Sequence, residues 1–217
     1  MRYANAVMHP TSDAGEKAVW LTNVDSEIMN SRSNLATGLS RLADSGFSTI
    51  YPAVWQRGYT LYPSEIAQEL TGSAVLPNSP FVGRDLLAEI IDLAQPLNIR
   101  VIPWFEYGLM TPPQSTIALR YPDLLLLDSN GNAQRIKGAN NTLDPHAWLN
   151  PIHDRVRKFM VDLIADVVGK YPVAGIQLDD HFSFPVELGF DRKLSSRLPS
   201  NLPDTLAFSM KLFGTNN

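Results

Sequence analysis

A chain of 217 residues, 44% hydrophobic and 18% charged, carries enough apolar content for one sizeable core. A formal net charge of −4, with Lys and Arg scattered, argues against a nucleic-acid partner, and the lack of cysteine excludes disulfides and thiolate metal sites. The first ten residues (MRYANAVMHP) lack the apolar core of a signal peptide, and no run of about 18 apolar residues occurs, so neither a leader nor a membrane span is expected in this chain.

Ala18–Thr22 (AVWLT) is a short apolar run and reads as a first strand. The polar stretch Asn23–Ser26 follows it. A helix over Ser33–Ser45 has Leu35, Leu39, Leu42 and Ala43 on one stripe, with Gly46 placed for a left-handed C-terminal residue. Ser48–Trp55 (STIYPAVW) is rich in β-branched and aromatic residues and reads as the second strand. Gln56–Gly83 contains Pro63, Pro77 and Pro80 and reads as a long irregular loop. Arg84–Gln95 is a helix ended by Pro96. Ile99–Glu106 (IRVIPWFE) is the third strand, with a fray or bulge expected at Pro103.

Tyr107–Asn150 is a second long connection. Within it Leu124–Ile136 (LLLLDSNGNAQRI) reads as a hairpin turning at Asn130-Gly131. The strongest helix comes next, capped by Asn150 with Pro151 at its first position and His153 as a first-turn surface group. Its stripe is Val156, Phe159, Met160, Leu163, Ile164, Val167 and Val168, and Gly169 and Pro172 mark its end. Val173–Leu178 (VAGIQL) is the fourth strand. Apolar strands alternating with amphipathic helices imply an α/β fold with a parallel sheet buried on both faces. Periodicity fits a doubly wound sheet and a barrel equally.

In either architecture, functional groups gather at the carboxyl ends of the strands. Those positions hold Asn23 and Asp25; Trp55, Gln56 and Arg57; Glu106 and Tyr107; Asp179, Asp180 and His181. The set is acidic, polar and aromatic, which suits sugars: glycoside hydrolysis needs two carboxyl groups flanking the scissile bond. Each residue also has a structural reading. Asp179 and Asp180 are adjacent and point different ways, so at most one serves catalysis. Glu106 reads equally as a buried partner for an arginine, His181 as a structural histidine, and the four tryptophans as core. Three consecutive residues rarely converge on one ion, so Asp179–His181 make a weak metal site. Phosphate-binding glycine loops and a nucleophile elbow are missing from the sequence, and the expectation is no metal and no cofactor.

The segments AVWLTNVDSE (18–27), FSTIYPAVWQRGYTLYPS (47–64), RVIPWFEYG (100–108), LLLLDSNGN (124–132), WLNPIHDRVRKFM (148–160) and VAGIQLDDHFSFP (173–185) together resemble the glycosyl hydrolase-like 10 domain in its cyanobacterial form. The resemblance covers roughly residues 16–190. It implies a (β/α)8 TIM-type barrel acting on polysaccharide or glycan. Gly175–Asp179 (GIQLD) matches the pattern that closes the fourth strand of amylase-like barrels, and the match gives Asp179 the role of nucleophile. Such barrels carry their general acid at the end of a fifth strand, which has no counterpart here.

The expectation is therefore the N-terminal half of such a barrel, about four βα units. Residues 1–15 are expected to form an extension, 16–190 a partial barrel domain and 191–217 a divergent tail with a short helix near 205–213. Asp179, Glu106 and Asp180 are the candidate catalytic residues. Trp104, Tyr107, His181, Asn23, Asp25 and Trp55 are the candidate substrate contacts. The expected partner is carbohydrate. The alternatives are a catalytically inactive glycan-binding module or a truncated gene product, and a homodimer in which two halves close the ring and hide their open edges. The family resemblance leaves the cell envelope or secretion open as locations.

Overall fold

The structure, a computed structural model, describes residues 16–137 and 142–189, without the side chains of Lys137 and Asp180. The predicted extension (1–15) and tail (191–217) lie outside the described residues. Three parallel strands form the centre, in the order β1 (Ala18–Leu21), β2 (Thr49–Pro52) and β5 (Arg100–Val101). Val19 pairs with Ile50, and Ile50 with Val101. Both β2 and β5 are shorter than the predicted strands. Beyond them the parallel pairing continues through Trp104, whose N donates to Pro52 O at 2.8 Å and whose carbonyl accepts from Val54 N at 2.9 Å, around the bridge Ala53 to Trp104, while Pro52 supplies no N–H to the ladder.

The predicted fourth strand is irregular but lies parallel beside β5. Ala174 N donates to Val101 O at 2.9 Å, Gln177 N to Pro103 O at 2.9 Å, and Phe105 N to Gln177 O at 3.0 Å. A bridge joins Trp104 to Gln177. Between these bonds the fourth segment carries one more residue than its neighbour, a bulge beside Gly175 opposite Pro103. The bulge expected from Pro103 is thus taken up on the facing strand.

Helices cover one side of the sheet. Helix α1 (Arg32–Asp44) starts at Ser31, whose hydroxyl accepts from Asn34 N, and α3 (Leu86–Ala94) starts at Asp85, whose carboxylate accepts from Ala88 N. Their Leu35, Leu39, Leu86, Leu87 and Ile90 bury against Leu21, Ile50 and Val101. A 3-10 turn at Gln95–Leu97 follows α3, where Pro96 stops the α-helical ladder. Helix α5 (Asp154–Lys170) begins later than expected. His153, not Asn150, is its cap, with the ring accepting from Arg155 N. Asn150 instead closes the preceding turn, accepting from Ile152 N on its side chain and from His153 N on its carbonyl. Of the predicted stripe of α5, Val156, Phe159, Met160, Leu163 and Val167 are buried and Ile164 is partly buried, whereas Val168 faces solvent. The opposite face of the sheet carries Trp20, which is 52% exposed and stacks on Tyr51 with ring centroids 5.1 Å apart.

Two connections depart from expectation. Gln56–Gly83 is not irregular: it holds a hairpin, β3 (Trp55–Gln56) with β4 (Tyr59–Thr60), and helix α2 (Glu65–Thr71). The hairpin turns on Arg57 and Gly58, both left-handed, and a Cβ on Gly58 would meet Thr111 Oγ1 at 2.7 Å. The second connection contains β6 (Met110–Thr111), α4 (Thr116–Arg120), β7 (Ile136–Lys137), β8 (Thr142–Leu143) and β9 (Ala147–Trp148). The predicted hairpin Leu124–Ile136 does not form. Its turn exists, with Asp128 Oδ1 accepting from Asn130 N and Asn132 N, but its arms pair elsewhere. Leu126 N donates to Trp148 O, and Asn150 N to Leu124 O, while β7 pairs with β8. Leu124, Leu125 and Leu126 are buried in the core together with Trp148 and Leu149 of that distant segment. Among the described residues no helix is long and apolar enough to cross a membrane.

Candidate functional site

A cleft of about 500 Å³ opens at the carboxyl ends of the strands, with Gln56, Arg57, Glu106, Tyr107, His146 and His181 in its wall. Trp148, Arg135, Met110 and Val24 complete the lining. Three of the predicted site residues, Glu106, Tyr107 and His181, therefore meet here.

Glu106 follows directly on the third strand. Gln56 Nε2, on the β3–β4 hairpin, donates to its Oε2 at 2.9 Å. Burial pushes the Glu106 carboxyl above the usual carboxylate range. The Asp179 charge adds to this, while the Gln56 hydrogen bond and the His181 and Arg57 charges oppose it. His181 Nδ1 lies 2.7 Å from the Glu106 carbonyl oxygen, so a proton on Nδ1 is donated there. Gly108 makes this approach possible: it is left-handed, and a Cβ on it would meet the His181 carbonyl carbon and oxygen at 2.6 Å. Leu109 N then donates to His181 O at 2.9 Å.

Asp179 stands beside the cleft rather than in its lining, and its side chain is 18% exposed. Trp104 Nε1 donates to Oδ2 at 2.9 Å, and His181 N to Oδ1 at 3.4 Å. His181 Nδ1 is 3.7 Å from the same Oδ1. Trp104 thus contributes its indole N–H to Asp179. The backbone of Asp180 opens a 3-10 turn, Asp180–Phe182, and its side chain lies outside the described residues.

The remaining predicted contacts fall elsewhere. Trp55 is fully buried, its Nε1 donating to Gly108 O at 3.0 Å and its ring edge-on to Phe159, so its expected role as a sugar contact is corrected to a core residue. Its neighbour in sequence, Gln56, reaches the cleft instead. The end of β1 reaches the cleft through Val24, not through Asn23 or Asp25. Asn23 keeps a buried side-chain oxygen that has no hydrogen-bond partner among the described residues, and Asp25 is exposed with a left-handed backbone.

Sequence reasoning missed the far wall. Asp144 is fully buried and accepts from Arg135 Nε at 2.7 Å and from His146 N at 3.1 Å. The His146 ring stands edge-on between Tyr107 (5.8 Å) and Trp148 (6.0 Å), and the Arg135 guanidinium lies 5.6 Å from the Trp148 ring centroid. The available signal was the dense polar-aromatic run Asp144-Pro145-His146-Ala147-Trp148 inside an otherwise loop-like stretch. Among the described residues, no group of three His, Asp or Glu side chains is placed to hold a metal ion. Chemically, the arrangement joins two carboxyl groups in different surroundings to a wall of hydrogen-bonding and aromatic groups.

Comparison with known proteins extends this picture. Glycosyl hydrolase DigH of Escherichia coli K12 is 26% identical over 156 residues, spanning 66% of this chain and 33% of that protein. The chain thus spans about a third of the length of that relative. A hypothetical protein from Ruminiclostridium thermocellum superposes with a TM-score of 0.58 at 17% identity, covering 90% of this chain and 92% of that one. The alpha-galactosidase of Thermus thermophilus gives a TM-score of 0.52 at 17% identity, covering 78% and 32%. At such identities the structural likeness speaks to the fold, an α/β arrangement shared with glycosidases. The family model for glycosyl hydrolase-like 10 matches residues 16–198, and the chain belongs to that family.

Proposed function

We propose that this chain forms one side of a (β/α)8 glycoside hydrolase acting on polysaccharide or glycan, with Asp179 as its nucleophile. The observation that carries the reading is the position of Asp179. It ends the fourth parallel strand, held by Trp104 Nε1 and the His181 backbone, next to a cleft that Glu106 and His181 line. In this mechanism an Asp179 oxygen attacks the anomeric carbon, and water later releases the sugar. Tyr107 and His146 offer ring edges, and Gln56 and Arg57 polar groups, for holding the sugar. Purified protein assayed on a glycan panel should lose its turnover in Asp179→Asn. Retained turnover in that variant removes Asp179 from the nucleophile role.

The place of Asp179 outside the cleft lining favours a second reading, a glycan-binding module without hydrolysis. Calorimetric titration separates the two, since a binding module holds glycan equally well in Asp179→Asn. Trp20 and Leu178, 52% and 48% exposed, support association with a second copy of the chain that closes the ring. Light scattering that shows only monomer rejects that association.

A further inference from the structure

We propose that Arg57 is the receptor for an anionic group on the glycan, a carboxylate or a sulfate ester, so that the cleft selects acidic over neutral sugars; this rests on reading the cleft as a glycan site. Arg57 sits at the tip of the β3–β4 hairpin and lines the cleft. Its backbone is the first sign. Among the described residues, the non-glycine positions with a left-handed backbone are Asp25, Asn78, Asn98 and Arg57. Asp and Asn tolerate that conformation because their short side chains bond the local backbone, a relief that arginine lacks. Arg57 and Gly58, at φ 53° and 79°, fill a two-residue hairpin loop for which Asn-Gly is the favoured pair. An arginine there holds a strained backbone, and such strain gathers where a position serves a ligand rather than the fold.

The loop is also pinned. A Cβ on Gly58 would meet Thr111 Oγ1 at 2.7 Å, and that hydroxyl is 2.6 Å from Ser115 Oγ. Tyr59 Oη lies 2.9 Å from Thr116 Oγ1, and Gln56 is fully buried with its Nε2 donating to Glu106. The Arg57 backbone is therefore fixed at the rim while the residue stays exposed. Charge is the second sign. The cleft lining holds two arginines, and Arg135 is committed to Asp144 at 2.7 Å and Glu187 at 3.2 Å. Among the described residues the Arg57 side chain has neither an ion pair nor a hydrogen bond. Its charge reaches Glu106, but the Glu106 carboxylate is bound by the Gln56 amide instead. A guanidinium presents its N–H donors in a planar fork that matches the paired oxygens of a carboxylate or sulfate. Held on a rigid turn, that fork is placed before the ligand arrives, so little ordering is left to oppose binding.

The test follows the arginine Nε–H signals of the full chain labelled with 15N-arginine, with Arg57→Gln assigning the signal. The probes are galacturonate and glucuronate tetrasaccharides, their methyl esters, a sulfated galactan tetrasaccharide and its desulfated form. Sodium acetate and sodium sulfate serve as free-ion controls. The Arg57 signal should move saturably with an acidic tetrasaccharide and stay still with its neutral counterpart. Whether the uronates or the sulfated galactan move it separates carboxylate from sulfate ester. Arg57→Gln should weaken that binding about tenfold in calorimetry at low ionic strength, and less as salt rises. A signal that ignores every acidic probe, or that moves equally with neutral sugars or free ions, overturns the proposal. Arg57→Asn joins the two signs: it restores the favoured turn, so it should raise the urea midpoint while acid selectivity falls. A lowered midpoint means that Arg57 serves the fold, and overturns the proposal too. Asp179→Asn keeps the underlying reading separate. Acidic binding in a chain without turnover sustains Arg57 while the hydrolase reading fails, and turnover confined to neutral glycans, with the Arg57 signal silent, does the reverse.

Discussion

Gly108→Ala isolates the contact that seats the His181 segment against the third strand. The backbone at Gly108 is left-handed (φ 47°), and an alanine Cβ would lie 2.6 Å from both the carbonyl carbon and oxygen of His181 and 2.8 Å from Phe182 N. None of these is a flexible side-chain end, so the segment itself must move and the Leu109 N to His181 O bond must stretch. Gly131→Ala is the control: its φ is 86° and nothing lies within 4 Å of the added Cβ. Both substitutions carry the cost of a left-handed alanine, about 1–2 kcal/mol. Only Gly108→Ala adds the overpacking penalty, about 1–3 kcal/mol. With a urea slope of about 2 kcal/mol per molar, that difference places the Gly108→Ala midpoint roughly 0.5–1.5 M below the control. Urea unfolding followed by tryptophan fluorescence measures it. Coincident midpoints for the two variants would refute the claim that Gly108 is required by the approach of His181.

Glu106→Gln should be at least as stable as the wild type near neutral pH. A carboxyl whose folded pKa is raised binds its proton more tightly when folded, so its contribution falls as pH rises through the folded pKa. The advantage of the variant should shrink as pH drops into the ordinary carboxylate range, and a growing advantage there contradicts the assigned shift. Leu39→Ala removes a fully buried side chain of α1 and should cost about 2–5 kcal/mol in urea unfolding, whereas Val168→Ala, half exposed on α5, should stay within about 0.5 kcal/mol. Asp144→Ala strips the buried partner from Arg135 and His146. Arg135 keeps Glu187 and some solvent, so the loss should fall short of the full penalty for an orphaned buried charge, about 3–5 kcal/mol. A stability unchanged from wild type would show that the far wall of the cleft does not depend on this pair.

Helices α1, α3 and α5 were legible because each carries its apolar stripe and boundary signals within its own sequence; the starts shifted in α3, which begins at Leu86 behind Asp85 rather than at Arg84, and in α5, where His153 caps in place of Asn150. The parallel order of the strands followed from their alternation with those helices, and the rule that chemistry gathers at strand ends brought Glu106, Tyr107, Asp179 and His181 into view. Other features were set by partners far away in the chain. Leu124–Leu126 pair with Leu149 and its neighbours rather than with their own return arm, and Trp55 enters the core while Gln56 beside it meets Glu106. The wall of Arg135, Asp144, His146 and Trp148 exists only once the long connection has folded back over the strand ends. Short-range periodicity records which face of an element is apolar. Which loop residue meets which strand end depends on contacts dozens of positions apart, and nothing in the local pattern encodes those.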